Sequence, residues 1–226
     1  MSGKFRLAVP VALAIVGLSG CSVTSSGTGK ESSSPAFYFN QVKSVRDAHM
    51  LNVVEPESLA AAMPRRQGEA GESWSQVAFT GRVVAVEPGP ARIYPRADPG
   101  NDKDEESEVQ EVPYDSPEAD GRTVVVTVQT DWIVGEPAPE GAVEIWVGTP
   151  GSTDPDEFLR SLRGLDQVAG VLDQHDGGQY YPILQGALLG TVDDAGTLSF
   201  PGIGDRSEEF LAGIDTVAEF RASAEQ

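Results

Sequence analysis

Between Thr123 and Val134 apolar and polar residues alternate, and that period of two constrains the fold more than anything else in the chain. Val124, Val126, Val128, Trp132 and Val134 fall on one face, with Thr123, Thr127, Gln129 and Asp131 on the other. A strand of this length with one apolar face has to bury that face within a sheet. Two further stretches repeat the pattern. Residues 77–86, VAFTGRVVAV, put Val77, Phe79, Val83 and Ala85 on one side, and Gly81 in mid-strand predicts a bulge or sharp bend. Residues 142–147, AVEIWV, turn Val143, Ile145 and Val147 inward and Glu144 and Trp146 outward.

The period then changes. Asp154-Pro155-Asp156-Glu157 offers an N-cap, a proline for the first helical position and an acid at the third, ahead of Phe158, Leu159 and Leu162. Gly164 ends this short helix. Strands resume at 167–172 and 180–192, and Asp193-Asp194-Ala195-Gly196 forms a hairpin turn into 197–200. Residues 207–224 show Phe210, Leu211, Ile214, Val217, Ala218 and Phe220 at helical spacing, which predicts a C-terminal amphipathic helix with Asp205 or Ser207 as its cap. Upstream, 37–73 reads as a mixed pre-barrel segment packing on the domain, with a short helical run from Leu59 to Met63 stopped by Pro64.

Three strands, a helix and two more strands is the element order of an OB-type barrel, in which the helix between strands three and four closes one end. The expected fold is therefore mainly β: an OB-like five-stranded barrel over 74–226 with a flanking C-terminal helix. Over roughly residues 74–222 the chain also resembles a broad set of bacterial secreted domains. The shared features are a first strand like VAFTGRVVAV, a second like TVQTDWIVG and a third ending in VGTPG. QVAGVLDQ, Tyr181-Pro182 and Gln185-Gly186 follow. That resemblance implies a fold and no activity, and the long acidic insert here departs from its pattern.

The amino-terminal end carries an address. Lys4 and Arg6 precede an apolar run from Leu7 to Leu18, which is too short to span a bilayer and suits a secretory signal over 1–20. The run ends Leu18-Ser19-Gly20-Cys21. This resembles the bacterial lipobox, and the resemblance implies cleavage before Cys21 and diacylglycerol on its thiol, with fatty acids such as palmitate. Two or three acyl chains at about 0.8 kcal/mol per buried methylene make a firm anchor. Residues 22–36 then contain eleven Ser, Thr, Gly or Pro among fifteen. The 21–36 stretch reads as a tether reaching roughly 20 Å from an extracytoplasmic membrane face.

Beyond residue 20 the chain carries 35 acids and 14 bases, a net charge of −21. Nucleic acid is excluded by that balance, since phosphate binding needs clustered Lys and Arg. Ten of the acids lie in an insert over 98–120: Asp98, Asp102, Asp104, Glu105, Glu106, Glu108, Glu111, Asp115, Glu118 and Asp120. They are either a self-repelling solvated loop or oxygen ligands for calcium, although the EF-hand spacing is absent. Asp173, His175 and Asp176 lie in a Gly-rich loop that either starts a metal site or is a plain polar turn.

Cys21 is the only cysteine, so an internal disulfide is impossible and lipidation leaves no free thiol. The nucleophile-elbow, phosphate-loop, zinc-protease and dinucleotide motifs are absent. Asp131 and Glu144 are the carboxylates available for acid–base work, but their alternation places them on a solvated face. The expectation is a protein without catalytic residues, cofactor or metal. Trp146, Tyr180 and Tyr181 are either barrel cover or a contact surface for an envelope protein or glycan. The leading reading is a lipid-anchored, non-catalytic interaction module at the cell envelope. A cation- or small-ligand-binding lipoprotein using 98–120 is the first alternative, and a hydrolase with an unrecognised carboxylate site the second.

Overall fold

The computed structural model describes residues 34–49, 56–64, 75–94, 109–136, 138–175 and 178–225. The signal, Cys21, most of the tether, Asp176 and Asp98 to Glu108 lie outside the described residues. The chain runs α1 (Ala36–His49), α2 (Leu59–Ala62), β1 (Ser75–Ile93), β2 (Gln110–Val112), β3 (Gly121–Gly135) and β4 (Ala142–Pro150). It continues through α3 (Pro155–Arg163), β5 (Gln167–Gln174), β6 (Tyr180–Pro182), β7 (Leu189–Val192), β8 (Leu198–Ser199), α4 (Ser207–Leu211) and α5 (Val217–Ala224).

The fold is mainly β and contains a closed five-stranded barrel. Around it the neighbours run β1–β3–β4–β6–β5 and back to β1. All of these pairs are antiparallel except β4 with β6, which meet in parallel through the single pair Ile145↔Tyr180. This is the OB-like arrangement, with α3 between the third and fourth barrel strands. Val124, Val126 and Val128 of β3 and Val143, Ile145 and Val147 of β4 are buried as their alternation requires.

One long strand, β1, pairs with both β3 and β5 and so closes the barrel, which it can do because it bends. Opposite it, Thr80 pairs with Trp132 and Gly81 with Thr130, leaving Asp131 as the extra residue of a bulge on β3. A second shift lies between Val83↔Val128 and Ala85↔Thr127, leaving Val84 as an extra residue on β1. That second bulge moves the inward phase by one residue. Ala85, expected inside, therefore stands on the outer face opposite Thr127, and Val86 is buried in its place. Gly81 is required at the bend: a Cβ there would run into the Gln129 carbonyl oxygen.

Helix α3 forms as its caps dictate, with the Asp154 carboxylate accepting from the Glu157 N–H at 2.7 Å. It lays Phe158, Leu159 and Leu162 into the core. Helix α1 is the main departure upstream, since 37–49 carried no predicted element. Its residues Tyr38, Phe39 and Val42 belong to the same core, and the Tyr38 hydroxyl donates to the Gly186 carbonyl at 2.9 Å. In α2 the N-cap is Ser58, which accepts from Ala61 N.

Two further expectations need correction. Residues 180–192 do not form one strand. Tyr180–Pro182 closes the barrel, a 3₁₀ turn follows at Leu184–Gly186, and Leu189–Val192 returns to pair with the other half of β5, along the same edge. Nor is 207–224 a single helix. Ala212 and Gly213 both take positive φ, at 48° and 87°, which ends α4. Helix α5 restarts at a capping box in which Thr216 Oγ1 accepts from Glu219 N and Glu219 accepts from Thr216 N. The hairpin turn at 193–196 is present, joining β7 to β8.

Candidate functional site

Cross-strand register on the outer face of the barrel produces one continuous row. Glu87 on β1 faces Val125 on β3, and Val125 faces Trp146 on β4. Because Ile145 pairs with Tyr180, Trp146 lies beside Tyr181 on β6, with ring centroids 6.3 Å apart. Tyr181 faces Asp173 on β5, and Asp173 faces Gln76, back on β1. The row leaves β1 at Glu87 and returns at Gln76, the offset that strand tilt imposes on a closed barrel. His175 adds a third ring, 4.6 Å from Tyr181.

Trp146 and Tyr181 are half-buried and His175 is exposed. Tyr180 is not part of this surface: its side chain is 7 % exposed and belongs to the core, and burial raises its hydroxyl pKa. Carboxylates flank the rings. Glu144 stands on the same face opposite Thr127, and Asp173 is next to Tyr181. Partial burial pushes the Asp173 carboxyl above the usual range, against the pull of a Gln76 hydrogen bond and of His175. Its Oδ1 is buried with no hydrogen-bond partner. A buried carboxylate oxygen left unpaired is costly, so its position calls for an explanation.

A second constellation sits at the bend of β1. Being the extra residue of the bulge, Asp131 turns toward Thr80, whose hydroxyl donates to it at 2.6 Å. Arg221 of α5 donates to Asp131 at 2.8 Å and to the Thr80 hydroxyl at 2.6 Å. The Arg221 guanidinium lies 5.6 Å from the centre of the Trp132 ring, completing a cation–π contact backed by a carboxylate. Asp131 and Thr80 also line an open cleft of about 560 Å³, whose walls include Arg82, Gln167, Val192, Asp194 and Val217. Asp131 and Glu144, the two candidate acid–base carboxylates, are not brought together: the register sets Glu144 against Thr127 and Asp131 against no residue.

The described half of the acidic insert is built onto the barrel. Strand β2 pairs with β1, Glu111 lies 3.5 Å from Arg92, and Asp120 accepts from the Tyr94 N–H at 2.9 Å. Arg122, buried, pins the returning loop by donating to the carbonyls of Tyr114 at 2.8 Å, Ser116 at 2.7 Å and Gly151. Among the described residues no group of three His, Cys, Asp or Glu side chains is placed to hold a metal. No family model matches this chain, and neither does any curated protein or solved structure.

Sequence reasoning missed the Thr80–Asp131–Arg221 cluster because it depends on a bulge and on a helix ninety residues downstream. It also missed the pairing of Asp173 with Tyr181, which depends on β6 entering in parallel beside β4. The Thr216-Val217-Ala218-Glu219 capping box was available as a signal for the start of α5.

Proposed function

We propose that this chain is a lipid-anchored, extracytoplasmic interaction module of the cell envelope, without catalytic residues. Cys21 in its lipobox-like context supplies the anchor, joined to the membrane through acyl chains. The tether over 21–36 spaces the folded part from the bilayer. The observation that carries the reading is the row of half-exposed rings, Trp146 and Tyr181 with His175, on the outer face of the barrel. Large aromatic side chains held on a rigid sheet lose little conformational entropy on contact, which suits them to anchor a protein partner. The acidic body repels an anionic bilayer and favours a basic or neutral partner.

Two variants test the halves of this proposal separately. Cys21→Ala should move the protein out of the membrane fraction and abolish the mass increment of the acyl chains on the mature chain. An unchanged membrane fraction would refute the anchor. Trp146→Ala should keep the melting transition and abolish co-isolation of a stoichiometric envelope partner from intact cells. Unfolding of Trp146→Ala would make the ring a packing element and remove the surface.

A further inference from the structure

Resting on that reading, we infer that the group docked at Trp146 and Tyr181 is the guanidinium of an arginine in an extended segment of the partner protein. The chain already holds one copy of the arrangement. At Trp132 the ring, the guanidinium of Arg221 and the carboxylate of Asp131 form a closed set of ring, cation and anion. Around Trp146 the same outer face carries Glu144, two residues along β4, and Asp173, across Tyr181 on β5, and the strand face supplies no cation. The strand positions sharing the rows of Thr123, Val125 and Thr127 are Ala85, Glu87, Glu144, Trp146 and Gly148, joined by Tyr181 and Asp173. Not one of them is Lys or Arg.

Two further observations point to a donor arriving from outside. Asp173 sits beside Tyr181 on the outer face and is only partly buried, so its carboxylate stands where a guanidinium laid over the rings can pair with it. Gly148, next but one to Trp146 on the same face, presents no side chain, and a Cβ there would meet only the Arg122 carbonyl oxygen, at 4.0 Å. A peptide backbone can therefore approach the ring closely. Arginine fits better than lysine because its planar fork stacks on an aromatic face while pairing with a carboxylate.

Binding of the peptide acetyl-Gly-Arg-Gly-Arg-Gly-amide to the full-length protein tests this, followed through the indole resonance of Trp146. The citrulline isostere, which has the same shape without the charge, is the comparison. The expected result is saturable binding of the arginine peptide that weakens with added salt and is at least fivefold weaker for the citrulline peptide. Asp173→Asn should lose a similar factor while remaining folded, and Trp146→Leu should lose more. Equal binding of the two peptides would overturn the guanidinium assignment while leaving the module reading intact. So would absence of binding by either, or self-association of the protein through Trp146 in their place. Failure of Trp146→Ala to lose the partner in cells would instead refute the module reading itself.

Discussion

Arg221, five residues short of the carboxyl end of the chain, holds Asp131 at 2.8 Å across the bulge in β3. Helix α5 thereby joins the strand whose irregularity created the contact. Trp132, next to Asp131, packs edge-on against Phe220, next to Arg221, with ring centroids 6.1 Å apart. A polar clasp and an apolar contact thus alternate along one seam. The seam explains why a short terminal helix is a fixed part of the fold.

The clasp makes stability depend on pH in a defined direction. Partial burial works against ionisation of Asp131, and the Thr80 hydroxyl and Arg221 guanidinium outweigh it, so its carboxyl titrates below the usual Asp range. A lowered folded-state pKa stabilises above the unfolded value of about 3.9 and is lost as pH falls through the folded value. Asp131→Asn should therefore lower stability at neutral pH, by about 1 kcal/mol or less because the carboxylate is largely exposed. The gap between wild type and variant should close below about pH 4. A pH-independent gap in thermal melts would contradict the ionic account.

Gly81 and Gly148 separate two reasons for glycine in a strand. A Cβ at Gly81 would strike the Gln129 carbonyl and lie 2.9 Å from the Thr130 Cα, both of them backbone. Gly81→Ala should cost roughly 1–3 kcal/mol. At Gly148 the space is open, and Gly148→Ala should stay within about 0.5 kcal/mol of wild type. Equal effects in denaturant titrations would show that β1 can relax at its bend.

Arg122 holds the loop at 114–116 by its own side chain. Replacing it with Met keeps much of its buried volume and leaves the carbonyls of Tyr114, Ser116 and Gly151 without their donor. A loss of about 2–4 kcal/mol is expected. Amide exchange should accelerate at Ala119, Asp120 and Gly151, whose N–H groups bond within this region. Unchanged protection there would mean that β2 and the turns hold the loop without Arg122.

Asp173 should show the opposite sign. Its carboxyl is pushed up chiefly by burial, so the fold loses stability as pH rises from the unfolded value through the folded one. Above that window the ionised, partly buried group is a standing cost. Asp173→Asn, which keeps the shape and removes the charge, should therefore raise the melting temperature at pH 7 and leave it unchanged near pH 3. A fall in melting temperature at pH 7 would show that the carboxylate supports the fold. A residue that costs stability where it stands is the pattern expected of a binding group.

Alternation along β4 and along β3 as far as Val128 made the barrel legible because each buried residue there is fixed by its immediate neighbours. The cap residues Asp154, Pro155 and Glu157 located α3 for the same reason. Past the bulge at Asp131, however, it is Ile133, and not Trp132 or Val134, that stands opposite inward Phe79. Ala85 was misplaced because a bulge at Val84 depends on what β3 does opposite, which period counting along β1 does not contain. Tyr180 and Tyr181 look alike in sequence, and only the parallel entry of β6 beside β4 sends one ring inward and the other out. Helix α1 escaped because Phe37, Tyr38, Phe39 and Val42 are weak helix formers whose helical state depends on burial of Tyr38, Phe39 and Val42. Trp146 was placed outward from β4 alone. Its neighbour Tyr181, and Asp173 beyond it, come from strands that only the closed barrel brings to this face.

If this protein is an interaction module, the outer face at Trp146 is occupied in the cell. The most direct measurement places a photo-crosslinking amino acid at position 127, which flanks that row, and another at position 194, in the turn between β7 and β8, in otherwise native protein. One major crosslinked envelope protein is expected from position 127, lost when Trp146→Ala is added, and no such product from position 194. No product from position 127, or the same product from both positions, would contradict it.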